Sequence, residues 1–267
     1  MRVYALAWTH LILFNEQTIK NALLLQHLAV LLSDFWPSWI IHIRSTQFLS
    51  LVIFFVTLTI FVMLGSTAGI DNIISHYFKS IQGNENLEAL MIIVTTFGDV
   101  FSLVIIAIIL TILRRTRKTG MIFLISIVIL TILVMYIKPL VDRPIPPYGF
   151  EPKLQLFKNF KIENDSLVPF ARDLSYPSNH VAQATAFAFI IGFALNQKSR
   201  TAGLLIWLFP AVIAITRLYV MQHYFTDLMG GFLLGLIISI ILSNVMRLDE
   251  PFMMSRFKGK EDQKKTF

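Results

Sequence analysis

The 267-residue chain is 55% hydrophobic and only 15% charged, with a mean hydropathy of +0.68. Soluble domains carry about 25% charged residues, so this composition excludes an ordinary soluble globule and favours a membrane protein. The net charge of +7 is not a nucleic-acid footprint, because the basic residues form short runs beside apolar segments; zero cysteines exclude disulfides and thiolate chemistry.

The opening "MRVYALAWTHLILFNEQ" has one arginine, a broken apolar stretch and no small-residue cleavage site, so it does not read as a signal peptide. Residues 1–45 contain "NALLLQHLAVLLSD", too short to span comfortably, and "FWPSWIIHIR", with two interface-type tryptophans. Interfacial helices are expected here, with an extra hairpin as the alternative. A transmembrane helix needs about 20 apolar residues. The first predicted span is 48–66, followed by an outward loop over 67–87. The second, 90–113, is interrupted at Gly98-Asp99, read as a cap or break near the outer face. The third is 121–137, and the fourth, 180–195, is short and alanine-rich. The fifth, 201–220, is expected to kink at Pro210. The sixth covers 227–246, where Gly231-x-x-x-Gly235 suits close helix packing. The expected fold class is therefore all-α, a polytopic membrane helix bundle of six core spans over 46–246. An interfacial helical extension (1–45) precedes it and a basic cytoplasmic tail (247–267) follows.

Orientation follows from charge. "RRTRK" (114–118) carries four basic residues, "QKSR" (197–200) two, and the tail 247–267 six against four acids. Loop 67–87 has one lysine against two acids, and 221–226 has no Lys or Arg. The positive-inside rule puts both termini and the basic runs in the cytoplasm, and loops 67–87, 138–179 and 221–226 outside.

That topology carries Lys138, His180, Arg217, His223 and Asp227 to one membrane face. Charges near hydrocarbon are costly and usually face a cavity or a partner. His223 and Asp227 are i and i+4, so on a helix the carboxylate is expected to hold one imidazole nitrogen and leave the other to attack. Arg217 lies six residues before His223, about 240° around an ideal helix. The two converge only if the helix breaks between them, which predicts an end near Val220. "YPSNH" (176–180) turns into a helix whose N-terminus, at Ser178 and Asn179, suits an anion, with His180 beside it as a proton donor. "KPLVDRPIPP" (138–147) adds Lys138 and Arg143. Three cations, two histidines and a helix N-terminus suit a phosphate group; no carboxylate or histidine cluster has metal-ligand spacing, so no catalytic metal is expected.

Over about 90–246 the chain resembles the type 2 phosphatidic acid phosphatase (PAP2) family, whose signature is K-x6-R-P, P-S-G-H and S-R-x5-H-x3-D. "TRLYVMQHYFTD" matches the third part with Thr216 for Ser, and "PSNH" the second with Asn179 for Gly. The first part departs: the family arginine falls on Ile145, and Arg143 stands two residues earlier beside Pro144. Residues two apart in an extended chain face the same side, so Arg143 is expected to reach the same phosphate, with Arg172 as a further candidate. The resemblance implies metal-independent phosphoryl transfer without a cofactor. His223 would be the nucleophile, Asp227 its orienter and His180 the general acid. Lys138, Arg143, Arg217 and the N–H groups at Ser178 and Asn179 would bind phosphate. A lipid phosphate or diphosphate is the implied partner, within the bilayer and without nucleic acid. A polyprenyl (undecaprenyl or dolichyl) diphosphate is favoured by the outward face. Phosphatidic acid or phosphatidylglycerophosphate is the alternative within the same chemistry. An anion or lipid transporter, a vanadium-dependent haloperoxidase and an inactive scaffold are the readings from other classes. The loop 148–175 is either a lid or head-group selector or a plain surface loop.

Overall fold

A computed structural model describes residues 41–153 and 169–250. Most of the predicted interfacial region, most of the tail and the middle of loop 148–175 lie outside them. Every regular element among the described residues is helical, apart from one isolated antiparallel bridge between Pro144 and Leu174.

Helix α1, Thr46–Met63, starts where the Ser45 hydroxyl accepts the Phe48 N–H at 3.1 Å. Only Val62 is buried, while Leu49, Ile53 and Phe54 are more than half exposed, a surface suited to lipid. A turn at Gly65, with φ of 70°, leads into α2, Ala68–Ser80. This segment is a helix where the sequence reading expected an open loop. Asp71 in its first turn and Lys79 in its last complement the helix dipole, and Asp71 and Ser75, one turn apart, are both buried.

Asn84 caps α3, Glu85–Phe97, by accepting the N–H groups of Asn86 and Leu87. Helix α4, Val100–Ile112, follows with a 47° bend at Gly98-Asp99. The break falls between two 13-residue helices, deeper along the span than the predicted position near its outer end. Gly98 is needed there because a Cβ would lie 2.8 Å from Ile213 Cγ2. Helix α5, Arg117–Val141, is the longest among the described residues at 25 residues, about 37 Å at 1.5 Å per residue. Asp142, at φ 52°, closes it.

Helix α6, Asn179–Asn196, packs against α5 and against the helices that follow. Ala182, Ala184, Ala186 and Ala188 along it are completely buried, so small side chains let the neighbours approach. It was predicted as a span, yet it is not among the helices apolar enough to face lipid by composition. Its polar residues are covered by protein, which relieves it of that requirement. Helices α7, Arg200–Leu205, and α8, Leu208–Tyr219, form the predicted fifth span. Their break lies at Ile206-Trp207 rather than at Pro210, which occupies the first turn of α8. Pro210 has no N–H to return to the carbonyl four residues back, so the helix restarts just before it. Helix α9, Phe225–Val245, completes the bundle.

Among the described residues, four segments (α1, α5, α7–α8 and α9) are long and apolar enough to cross a membrane, and the bent α3–α4 pair, taken as one span, passes the same test. Gly231 and Gly235 face α6, where an added Cβ would strike the carbonyl oxygens of Ser178 and Ala182. The glycine spacing read from the sequence is thus a helix contact. At the other end of α5, Lys118 Nζ donates to the carbonyls of Arg247 and Glu250, at 2.5 and 2.7 Å. Two predicted cytoplasmic basic runs therefore meet at the opposite end of the bundle from Lys138.

Candidate active site

The site is assembled on the chain segment that enters α6. Pro144 and Leu174 bridge, Ile145 N–H donates to Asp173 O at 3.2 Å, and Ser175 N–H to Arg143 O at 2.7 Å. Residues 173–178 are thereby laid against the exit of α5. Lys138, in the last turn of α5, donates to Leu174 O at 2.6 Å. His223 Nδ1 bonds the next carbonyl, Ser175 O, at 2.9 Å. Ser178 N–H reaches Asp227 O at 3.1 Å. One strap therefore gathers Lys138 from α5, Ser178 at the head of α6, and His223 and Asp227 at the entry to α9.

Tyr176 fixes the strap. It is completely buried beneath Gly230, where a Cβ would lie 2.6 Å from its ring, and its hydroxyl lies 2.8 Å from Thr59 Oγ1. Thr59 gives its own proton to Phe55 O, so Tyr176 is the donor in that pair. Burial pushes the phenol up to about 12, which keeps that proton in place. Tyr176→Phe is expected to lower stability by about 0.5–1.5 kcal/mol, read from thermal unfolding in detergent.

Arg217 is fully buried in the last turn of α8. That helix ends at Tyr219 with Val220 as its cap, as predicted, and Met221 turns the chain at φ 54°. Lys138, Ser178, Asn179, His180, Arg217, His223 and Asp227 are all at most 2% exposed. Burying so many polar and charged groups in an apolar bundle is costly unless they serve one another or a ligand. Ser178 is the N-cap of α6, yet its hydroxyl caps no N–H and has no hydrogen-bond partner despite complete burial. His180 is the second residue of the same helix.

Two expectations change. The first concerns Asp227. His223 precedes α9 instead of sharing it, and its Nδ1 lies 3.7 Å from Asp227 Oδ2, beyond hydrogen-bond length. The atom within hydrogen-bond length is the Ser175 carbonyl. Asp227 Oδ2 instead accepts the Tyr224 N–H at 2.7 Å, in a capping arrangement at the start of α9. The second concerns Arg143. Its guanidinium is held by two carboxylates, Asp227 Oδ1 at 2.7 Å and Asp71 Oδ2 at 2.6 Å. It also donates to Thr226 Oγ1 at 2.8 Å and lies over the Tyr224 ring, 4.1 Å from the centroid. Burial lowers the Arg143 pKa, but Asp227 and Asp71 outweigh it and the net shift is upward. A buried pair of carboxylates needs a cation between them, and Arg143 is that cation. Arg172 is exposed.

Asp71 is the residue missed by sequence reasoning. The available signal was the Asp71–Ser75 pair, one turn apart in 68–80. The Leu174 and Ser175 carbonyls carry no side-chain signal at all. Among the described residues, no group of three or more His, Asp or Glu gathers in a way that would hold a metal.

Residues 119–250 match the PAP2 superfamily. The undecaprenyl-diphosphatase BcrC of Bacillus subtilis is 25% identical over 66% of this chain and 86% of its own length. The undecaprenyl-diphosphatase of Sulfolobus acidocaldarius is 28% identical over 74% of this chain and 90% of its own. The crystal structure of a transmembrane PAP2-type phosphatidylglycerolphosphate phosphatase from Bacillus subtilis superposes with a TM-score of 0.62. It is 20% identical, covering 78% of this chain and all of that one, and it bears on the fold alone. With the second and third signature parts carried on one buried strap and helix pair, the chain belongs to the PAP2 superfamily as a multi-pass membrane phosphatase.

Proposed function

We propose that the protein hydrolyses a polyprenyl diphosphate through a phosphohistidine on His223, at the outer face of the membrane. One observation carries the mechanism. A carbonyl oxygen only accepts, so the 2.9 Å contact with Ser175 O makes Nδ1 of His223 the protonated nitrogen. Nε2 then presents its lone pair as the nucleophile. Attack on the terminal phosphorus forms the N–P bond and breaks the P–O bond to the lipid monophosphate. His180 gives a proton to that leaving oxygen. The cationic imidazole that results is stabilised by Ser175 O and by Asp227 at 3.7 Å. Water activated by His180 then attacks phosphorus, releasing inorganic phosphate and neutral His223. Lys138, Arg217 and the Ser178–Asn179 helix N-terminus balance the charge on the equatorial oxygens, where preorganised donors matter most. Arg143 supports Asp227 in place of binding phosphate.

The substrate assignment is supported by the two undecaprenyl-diphosphatases that the chain resembles. The outward orientation is supported by the basic runs joined through Lys118 and Arg247 at the far end of α5. The test is phosphate release by detergent-purified protein from polyprenyl diphosphate, phosphatidic acid and phosphatidylglycerophosphate, each with chelator. Polyprenyl diphosphate is expected to lead in kcat/KM by at least about 10-fold. A glycerolipid substrate that matches or exceeds it sinks the assignment, and activity abolished by chelator sinks the metal-free route.

A further inference from the structure

Asp71 lies on α2, outside the 119–250 match, and is completely buried. Its Oδ1 accepts the Thr226 N–H at 3.0 Å, and its Oδ2 accepts the Thr226 hydroxyl at 2.7 Å and Arg143 Nη2 at 2.6 Å. Thr226 is the second residue of α9, so two of these bonds pin the helix that begins just after His223. The third holds Nη2 of the Arg143 guanidinium. Arg143 Nη1 donates to Asp227 Oδ1 at 2.7 Å, and the guanidinium lies over the Tyr224 ring.

Resting on the reading of His223 as nucleophile, we infer that Asp71 is a positioning residue for the His223–Asp227 pair, acting through Arg143. An arginine side chain has several rotatable bonds, and one carboxylate alone leaves its fork free to swing. Two carboxylates, one on each terminal nitrogen, remove that freedom. With Arg143 fixed, Asp227 is clasped by Oδ1 and must turn Oδ2 toward the Tyr224 N–H and the His223 ring. The charge arrangement agrees with this. Asp71 and Asp227 repel, and the guanidinium that contacts both of them offsets that repulsion. Helix α2 thus belongs to the catalytic unit, although none of the three signature parts includes it. A purely structural Asp71 would instead hold α2 onto α9 and leave turnover per folded molecule unchanged.

The test uses the full chain in detergent with polyprenyl diphosphate, normalised to folded protein. Asp71→Asn keeps the shape and an acceptor for the Thr226 N–H but loses the charge that holds Arg143. It is expected to lower kcat at least about 10-fold while KM stays within about 3-fold, since Asp71 does not touch substrate. In an Arg143→Met background the same change is expected to alter kcat less than about 2-fold, because the path through Arg143 is already cut. Wild-type kcat in Asp71→Asn, or equal losses in both backgrounds, overturns the inference. If Asp71→Asn alone does not fold, the charge-balanced Asp71→Asn/Arg143→Met protein compared with Arg143→Met decides. A kcat within about 2-fold of an Arg143→Met protein that is itself at least about 10-fold below wild type supports the inference. A further loss, or an Arg143→Met protein at the wild-type rate, overturns it. His223→Ala separates the two readings. If that variant releases phosphate normally, the phosphohistidine reading falls; if it is inactive while Asp71→Asn is wild type, only this inference falls.

Discussion

Phosphate release by His223→Ala is expected to fall to background, a loss of at least about 10⁴-fold in kcat, with KM little changed. The magnitude follows from the role. In the proposed mechanism Lys138, Arg217 and the head of α6 would still bind the phosphate and hold the substrate, but no atom would replace Nε2 for in-line attack. A general base acting on water contributes only about 10²–10⁴-fold, so a histidine in that lesser role would leave readily measured turnover. The intermediate gives an independent readout. With radiolabelled substrate and a denaturing alkaline quench, wild type is expected to carry acid-labile label on histidine, and His223→Ala none. His180→Ala is expected to slow formation and breakdown of that label together, because in the proposed mechanism the same imidazole serves both half-reactions. Label that persists in His223→Ala would move the nucleophile elsewhere.

Gly231→Ala is expected to cost about 1–3 kcal/mol of stability and at least about 10-fold in activity. A methyl at this position meets the Ser178 carbonyl oxygen. That carbonyl accepts the Ala182 N–H at 3.1 Å and closes the first turn of α6, so it has little room to move. Relief requires α9 and α6 to separate, which displaces Ser178, Asn179 and His180 from the strap together. Misplacement of about 1 Å at a reacting centre is enough for a loss of that order. Gly69→Ala is the matched control: a Cβ there meets nothing within 4 Å, and within a helix the change is expected to be neutral or stabilising by about 0.5–1 kcal/mol. Thermal unfolding and turnover measured on both proteins separate a packing effect from a general intolerance of substitution. Equal behaviour of the two variants would show that the α6–α9 contact does not set the site.

The features legible in the chain were those whose physics is local in sequence. Apolar runs of about 20 residues marked the helices. The end of α8 beside Val220 followed from angular arithmetic on Arg217 and His223, which no continuous helix satisfies on one face. Gly231 and Gly235 announced a helix contact by spacing alone. Helix α2 was missed because its apolar and polar residues average to the composition of a loop, although Asp71 and Ser75 one turn apart carried its inner face.

By itself, then, the sequence determined that this is a helical membrane protein with lysine, arginine and histidine at helix ends suited to a phosphate. Tertiary structure alone decided which partner each takes. Asp71 and Arg143 are 72 residues apart, and His223 and Ser175 are 48 apart. The Ser175 partner is a backbone carbonyl that any residue would supply. Such pairings depend on where the strap and α2 dock, so no pattern in the chain reveals that Arg143 answers to two carboxylates, or that His223 leans on a carbonyl with Asp227 a step farther away.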